Sequence, residues 1–276
     1  MALETTLFFR EGGLLLNKLL LYGLCAIMLL VGVSGAGAAL IDLTPGRGTA
    51  ITHDQAIFME FTEAMQTEVS SGTGVIEPFL TIQKNTFEKG FNSDAFPVLN
   101  ATRPAWNRSI QISDLVTSPD LPTYYEFLLD INEPAGNKSL ITQHALQVYV
   151  VPNSIGGSIG TYKALQSSGT MIWDLDSNNE GSQVLYDYNL WKGSGQNIDA
   201  AFMLPTSLFS GYSLNDYVYL YTEFGTLNHL GFPSEAGFEE YALRESGAPV
   251  PEPATMLLLG CGLIGLAGFG RKKLIK

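Results

Sequence analysis

Tyr217-Val218-Tyr219-Leu220-Tyr221 decides the fold. Aromatic side chains at 217, 219 and 221 alternate with aliphatic ones at 218 and 220, the period-two signature of a strand. Neither side of this strand is polar, so both faces must be covered. Upstream, Val184, Tyr186, Tyr188 and Leu190 share one face of a second strand, with Gln183, Asp187 and Asn189 opposite. Met171, Trp173 and Leu175 share a face just before it. Ser177-Asn178-Asn179-Glu180-Gly181 between them has turn chemistry, which predicts a hairpin over 171–190. Further strands are expected at Phe58–Phe61, Val75–Gln83, Ile110–Ile112, Tyr124–Ile131, Leu146–Val151 and Ala201–Leu204, separated by Gly, Pro, Asn and Ser clusters. Helical periodicity is weak, and only Ser139–Leu146 and Pro205–Ser210 offer a short turn. Many short strands with loop punctuation predict a mainly β chain, an antiparallel β-sandwich with jelly-roll-like connections. No repeat of 20–50 residues argues for a solenoid or propeller.

Composition bounds the function. The 276 residues carry 15 Lys+Arg against 27 Asp+Glu, a net charge of −12, which excludes a basic nucleic-acid binder. Two cysteines exclude a disulfide scaffold. The hydrophobic content of 46% includes two uncharged apolar runs near the ends. Leu19 to Val33 is a run of fifteen uncharged residues, preceded by Lys18 and followed by Ala36-Gly37-Ala38, an A-x-A-like site. Basic residue, apolar core and small-residue site are the parts of a secretory signal peptide, expected over 1–39 as a signal helix. An uncleaved anchor is the alternative, although the run is shorter than the ~20 residues of a span. Setting the ends aside leaves a cysteine-free domain, expected over 40–247. Between 40 and 250 there are 24 acidic and 9 basic residues, a net of −15. Such a domain is repelled from anionic lipids and acidic polysaccharides unless Ca²⁺ bridges them.

The other end is more specific. Val250-Pro251-Glu252-Pro253 is followed by an uncharged run, 254–270, and then by Arg271-Lys272-Lys273. The run is marginal for a transmembrane helix, and the basic cluster would hold the terminus in the cytoplasm. Together these residues resemble the PEP-CTERM sorting signal of Gram-negative, biofilm-forming bacteria, over 248–276. The resemblance implies export by the Sec machinery and transit through the inner membrane. It also implies recognition by an exosortase, an integral-membrane cysteine protease that cuts near the motif, and delivery to the cell surface, outer membrane or extracellular matrix. Pro251, Glu252 and Pro253 are then substrate features for another enzyme. The central region resembles an uncharacterised sandwich module found ahead of such tails. The resemblance rests on Thr81-Ile82-Gln83, Gly90-Phe91-Asn92, Phe127-Leu128-Leu129-Asp130-Ile131-Asn132, Trp173-Asp174-Leu175-Asp176, Gly193-Ser194-Gly195 and Gly237-Phe238-Glu239-Glu240-Tyr241.

Candidate chemistry is sparse. Asp174, Asp176 and Asn178 have the D-x-D-x-N spacing of a Ca²⁺ loop, with Glu180 as a further ligand. Asn179 stands where the turn glycine belongs, and Leu185 where a bidentate Glu would sit. The alternative is a polar surface turn. Gly156-Gly157-Ser158-Ile159-Gly160 matches a nucleophile elbow, yet Pro152-Asn153 breaks the strand that such an elbow requires. His53, His144 and His229 have no zinc spacing. Trp106, Trp173, Trp191 and the tyrosines offer sugar-stacking surfaces or, more simply, core. These features predict a non-enzymatic envelope or biofilm protein that contacts extracellular polysaccharide. A secreted glycan hydrolase and a Ca²⁺-dependent carbohydrate-binding module are the alternatives.

Overall fold

The computed structural model describes residues 38–70, 77–101, 103–191, 197–235 and 237–244. The apolar runs at 19–33 and 254–270, and with them the expected signal and transmembrane helices, lie outside these residues. Among the described residues no helix is long and apolar enough to cross a membrane. The chain divides into one unit ending at Arg244 and a second, Glu245–Lys276.

In chain order the strands are β1 (Leu40–Asp42), β2 (Ala50–His53), β3 (Ala56–Glu60), β4 (Pro78–Ile82), β5 (Phe87–Phe91), β6 (Ile110–Gln111) and β7 (Tyr124–Asp130). They continue with β8 (Leu140–Val151), β9 (Thr170–Asp174), β10 (Gln183–Asp187), β11 (Ala200–Pro205), β12 (Tyr217–Gly225) and β13 (Glu239–Leu243). Two short helices, α1 (Glu63–Ser70) and α2 (Tyr162–Ser168), complete the frame. The first sheet runs β1-β10-β8-β12-β5, with β6 also on β12 and β9 also on β8; the second runs β2-β3-β11-β7-β13-β4.

The Tyr217–Tyr221 segment lies at the centre of the first sheet, antiparallel to β8, with Tyr219 opposite Tyr149 and Leu220 opposite Val148. Val218, Leu220 and Phe224 point into the core between the sheets, beside Leu146, Val148 and Val150. Tyr219 and Tyr221 point outward into a smaller cluster closed by Ile159 and by Leu165 of α2. Both faces are therefore covered, as the unbroken apolar pattern demands. Thr161 starts α2 by accepting the Ala164 N–H at its hydroxyl (3.1 Å), an ordinary N-cap.

Aromatic rings join the sheets. Phe202 of β11 lies 4.9 Å, centroid to centroid, from Trp173 of β9, 5.2 Å from Phe58 and 5.8 Å from Phe127. Gln143 adds a polar link inside the core. Its amide donates to Thr222 Oγ1 (2.8 Å) and to the Tyr241 hydroxyl (2.7 Å) of the second sheet, and its oxygen accepts from Tyr186 (2.8 Å). Every polar atom of this buried side chain is engaged, so it joins the sheets without an unmet desolvation cost. Arg244 and Glu126 form a buried ion pair, with Nε 2.5 Å from Oε2.

Three expectations are corrected. Residues 171–190 do not form a hairpin: β9 pairs with Gln147–Val150 and β10 with Leu140–Gln143 of the same strand, β8. They lie end to end along one edge of β8, and 175–182 is an excursion within a broken strand. Ser139–Leu146 is not a helical turn but the start of β8. A register shift between Glu223 and Phe224 skips one residue of β8 near His144, a bulge. Ile141 and Gln143 thus face inward with Leu146 and Val148, and the lost parity imitates helical spacing. Finally, the pairing is not wholly antiparallel, because β1 joins β10 in parallel.

Candidate functional site

The loop between β9 and β10 holds the residues with calcium-like spacing. Asp174 Oδ1 accepts the Asp176 N–H (3.1 Å), and its Oδ2 accepts from Gln147 Nε2 (3.0 Å). Asp176 Oδ1 accepts three backbone N–H groups, from Glu180 (2.9 Å), Gly181 (2.9 Å) and Ser182 (3.0 Å). The chain can wrap this oxygen because Asn179 (φ 55°) and Gly181 (φ 88°) take left-handed conformations. Asn178 and Glu180 are exposed at the rim. Both aspartates thus organise the loop, and their carboxylates are already engaged.

The remaining sequence candidates are scattered. Ser158 is exposed, and a 3₁₀ turn over Asn153–Ile155 separates it from β8, so no strand runs straight into it. Nε2 of His53 hydrogen-bonds the Leu175 carbonyl (2.9 Å), and that of His144 the Gly225 carbonyl (2.8 Å). His229 is exposed with a φ of 66°. Trp173 belongs to the core, Trp191 packs under the Arg47 guanidinium (3.8 Å), and Trp106 is partly exposed beside Arg103. The tryptophans form no common platform.

What the structure does assemble is a belt on the outer face of the first sheet. The Tyr149 and Tyr162 hydroxyls both donate to Gln147 Oε1 (2.9 and 2.7 Å), and Gln147 reaches on to Asp174. Tyr162 stacks on Tyr221 at 4.0 Å, and Tyr221 donates to Glu223, which lies 3.7 Å from Lys89 Nζ. Burial raises the tyrosine hydroxyls above their ordinary range, so they act as neutral donors. Lys89, Gln147, Tyr162, Asp174 and Glu223 are each half-buried, leaving polar heads at the surface around stacked rings. The signal for this belt was present in the 217–221 alternation, but its partners Gln147, Tyr162 and Asp174 come from three other elements.

Sequence reasoning also missed two groups of buried acids. Glu88, Glu133 and Glu239 are 0, 3 and 0% exposed. Burial pushes all three carboxyls up, Glu133 to about 7; neighbouring acids raise Glu133 and Glu239 further, whereas hydrogen bonds with Glu239, Lys84 and Ser234 hold Glu88 back. Asp199 and Glu60 form the second group, with Asp130 beside Asp199. Among the described residues no set of three or more His, Cys, Asp or Glu stands as a ready metal cage. The sequence clue was an acid inside an apolar strand, as Glu60 is after Ala56-Ile57-Phe58-Met59.

Glu60 makes stability depend on pH. Burial and the Asp187 charge lift its carboxyl from 4.5 to about 9, and Asp199 and Tyr186 are the other titratable groups that it influences. The folded state keeps a proton that the unfolded chain releases near 4.5, so this contribution is full below that pH and fades as pH rises towards 9. Urea melts at pH 5, 7 and 9 should show stability falling with pH, by about 1.4 kcal/mol per unit from this group alone. Glu60→Gln should flatten the slope and melt higher than the wild type at pH 8.

Comparison with known proteins places one feature. The family description that matches is the PEP-CTERM protein-sorting motif, over residues 249–272. No curated protein and no solved structure matches the chain. The motif marks an exosortase substrate, an exported precursor that crosses the membrane and ends on the cell surface.

Proposed function

We propose that this chain is a non-enzymatic component of the bacterial envelope or biofilm matrix, displaying a β-sandwich after exosortase processing. The sorting motif at 249–272 carries the reading. Residues 1–39 act as the signal peptide for the Sec machinery, and 254–270 as the transient inner-membrane helix. From β10 to β13 successive strands alternate between the two sheets, which supports a jelly-roll-like sandwich akin to the module found ahead of such tails.

The sandwich supports a contact role over a chemical one. Both aspartates of the 174–180 loop bind its own backbone, and two histidines bond backbone carbonyls. The half-exposed belt of Tyr162, Gln147, Asp174, Glu223 and Lys89 offers donors, acceptors and ring edges to sugar hydroxyls. The acidic domain repels acidic polymers, so the partner is a neutral polysaccharide. A glycan array with the purified full chain tests this. Binding to neutral glycans, weakened at least about tenfold by Tyr162→Ala combined with Gln147→Ala, is the expected result, each lost hydrogen bond costing about 1 kcal/mol. Release of reducing ends from a polysaccharide, abolished by one carboxylate substitution, would instead establish a hydrolase.

A further inference from the structure

The register of the first sheet sets the outer belt in a row across four strands. Asp174 of β9 lies opposite Gln147 of β8, and Gln147 lies opposite Tyr221 of β12. Two residues further along β12, Glu223 lies opposite Lys89 of β5. Side chains continue the row from strand to strand. Gln147 Nε2 donates to Asp174 Oδ2 (3.0 Å), and Tyr162 of α2 donates to Gln147 Oε1 (2.7 Å) while stacking on Tyr221 at 4.0 Å. Lys89 Nζ stands 3.7 Å from Glu223 Oε1. Tyr221 is 3% exposed, so the half-buried Tyr162 is the ring of the pair that reaches solvent. The row ends in Asp174 on one side and Lys89 on the other, and both of these are half-buried polar heads.

Spacing decides what such a row fits. Neighbouring strands lie about 4.8 Å apart, whereas side chains on one face of a single strand are about 6.7 Å apart. The first distance is close to the advance per residue of an extended β-1,4-linked pyranose chain; the second is not. Each sugar of such a chain has hydroxyls at its edges and an apolar C–H face. The row meets them with amide, carboxylate and ammonium heads on either side of an aromatic ring, which offers apolar area and a polar tip together. An α-1,4-linked chain coils, and so leaves a straight row.

We propose that the belt takes the interior of an extended β-1,4-linked neutral glycan, laid across β9, β8, β12 and β5 with one sugar over each strand. This rests on the belt being the glycan-contacting surface, and adds the linkage, direction and length of the chain that it takes. Polar heads reach the surface at both ends of the row, so the polymer runs on in both directions and no chain end is required. Such a contact suits a matrix component, because one long polymer then carries many copies of the protein.

The test is calorimetry on the full chain in mild detergent, with cello-oligosaccharides and malto-oligosaccharides of one to six units. Cello-oligosaccharide affinity should rise at least about tenfold from two units to four, as each further sugar adds hydrogen bonds, and level off beyond four. Maltotetraose should bind at least about tenfold more weakly than cellotetraose. Reducing the terminal sugar of cellohexaose to its alditol should change affinity by less than about twofold. Lys89→Ala removes one end of the row, so cellotetraose should then bind no more tightly than cellotriose. Affinity that stays flat from one unit to six, equal binding of the two series, or loss of binding on reduction would overturn the proposal. If Tyr162→Ala with Gln147→Ala still weakened that binding, the belt would remain the glycan surface and only the linkage, direction and length would fall. No binding of either series, by a chain that binds another neutral glycan through Tyr162 and Gln147, would overturn it in the same way. No binding to any neutral glycan would overturn the belt reading and this inference with it.

Discussion

Deletion of residues 251–276 is expected to abolish surface display and leave the protein in the periplasm or the medium. The segment holds three separable parts, namely Pro251-Glu252-Pro253, the uncharged run 254–270 and Arg271-Lys272-Lys273. Each has its own physical role. In the proposed sorting route the apolar run partitions into the inner membrane, and the basic cluster keeps the terminus on the cytoplasmic side. This halts the precursor with the Pro-Glu-Pro segment near the outer side of the membrane, within reach of a membrane-embedded protease. Without the run the chain does not pause there, and without the motif it pauses uncut. Replacing Arg271, Lys272 and Lys273 by Ala should therefore lower display, and replacing Pro251, Glu252 and Pro253 by Ala should trap an uncut precursor in the inner membrane. The deletion removes none of the unit that ends at Arg244, so that unit's melting temperature should be unchanged. Fractionation and surface proteolysis read the outcome, and unaltered display of the deletion variant would contradict the sorting account.

Phe202→Ala should be the most damaging single change in the sandwich. The ring is 2% exposed and touches Phe58 and Phe127 in its own sheet and Trp173 across the core. Removing it forfeits the transfer free energy of the ring and leaves a cavity that three rigid neighbours cannot fill. The expected loss is about 3–5 kcal/mol, or a melting temperature lower by about 10 °C. Phe202→Leu should lose markedly less, since most of the volume stays. If Phe202→Ala melted within 2 °C of the wild type, the two sheets would not share the core described for them.

How much of this was legible in the sequence varies with the kind of interaction. The 217–221 alternation predicted a strand covered on both faces, because side-chain parity is a local property. Tyr124–Ile131 and Ala201–Leu204 were legible for the same reason, and they are β7 and β11. The start of β8 was not, because the bulge near His144 breaks parity at one residue, and which residue a partner strand skips is set by that strand. The hairpin over 171–190 failed similarly. Turn chemistry at 177–181 was read as a chain reversal, but β9 and β10 run in the same direction, both antiparallel to the long β8, and the turn only closes an excursion between them. Long strands recruit broken ones end to end, and no local signal announces this.

The sites follow the same division. The sorting signal is contiguous, so its residues were readable in order. The 174–180 spacing was equally visible, yet spacing could not show that Asp176 would turn its oxygen onto three amides of its own loop. Glu88, Glu133 and Glu239 are separated by 45 and 106 residues and meet only because β5, β7 and β13 are brought together by folding. Among 24 acids in the domain, no pattern in the chain distinguishes them. An acid inside an otherwise apolar strand is the clue, and burial converts it into a signal.

The central claim, an exosortase-sorted surface protein, is tested most directly by the intact mass of the protein recovered from the cell surface. The account predicts a chain that begins near Ala39 and ends close to Pro251-Glu252-Pro253, lacking 254–276. A surface protein whose mass still includes the segment through Lys276 would contradict it.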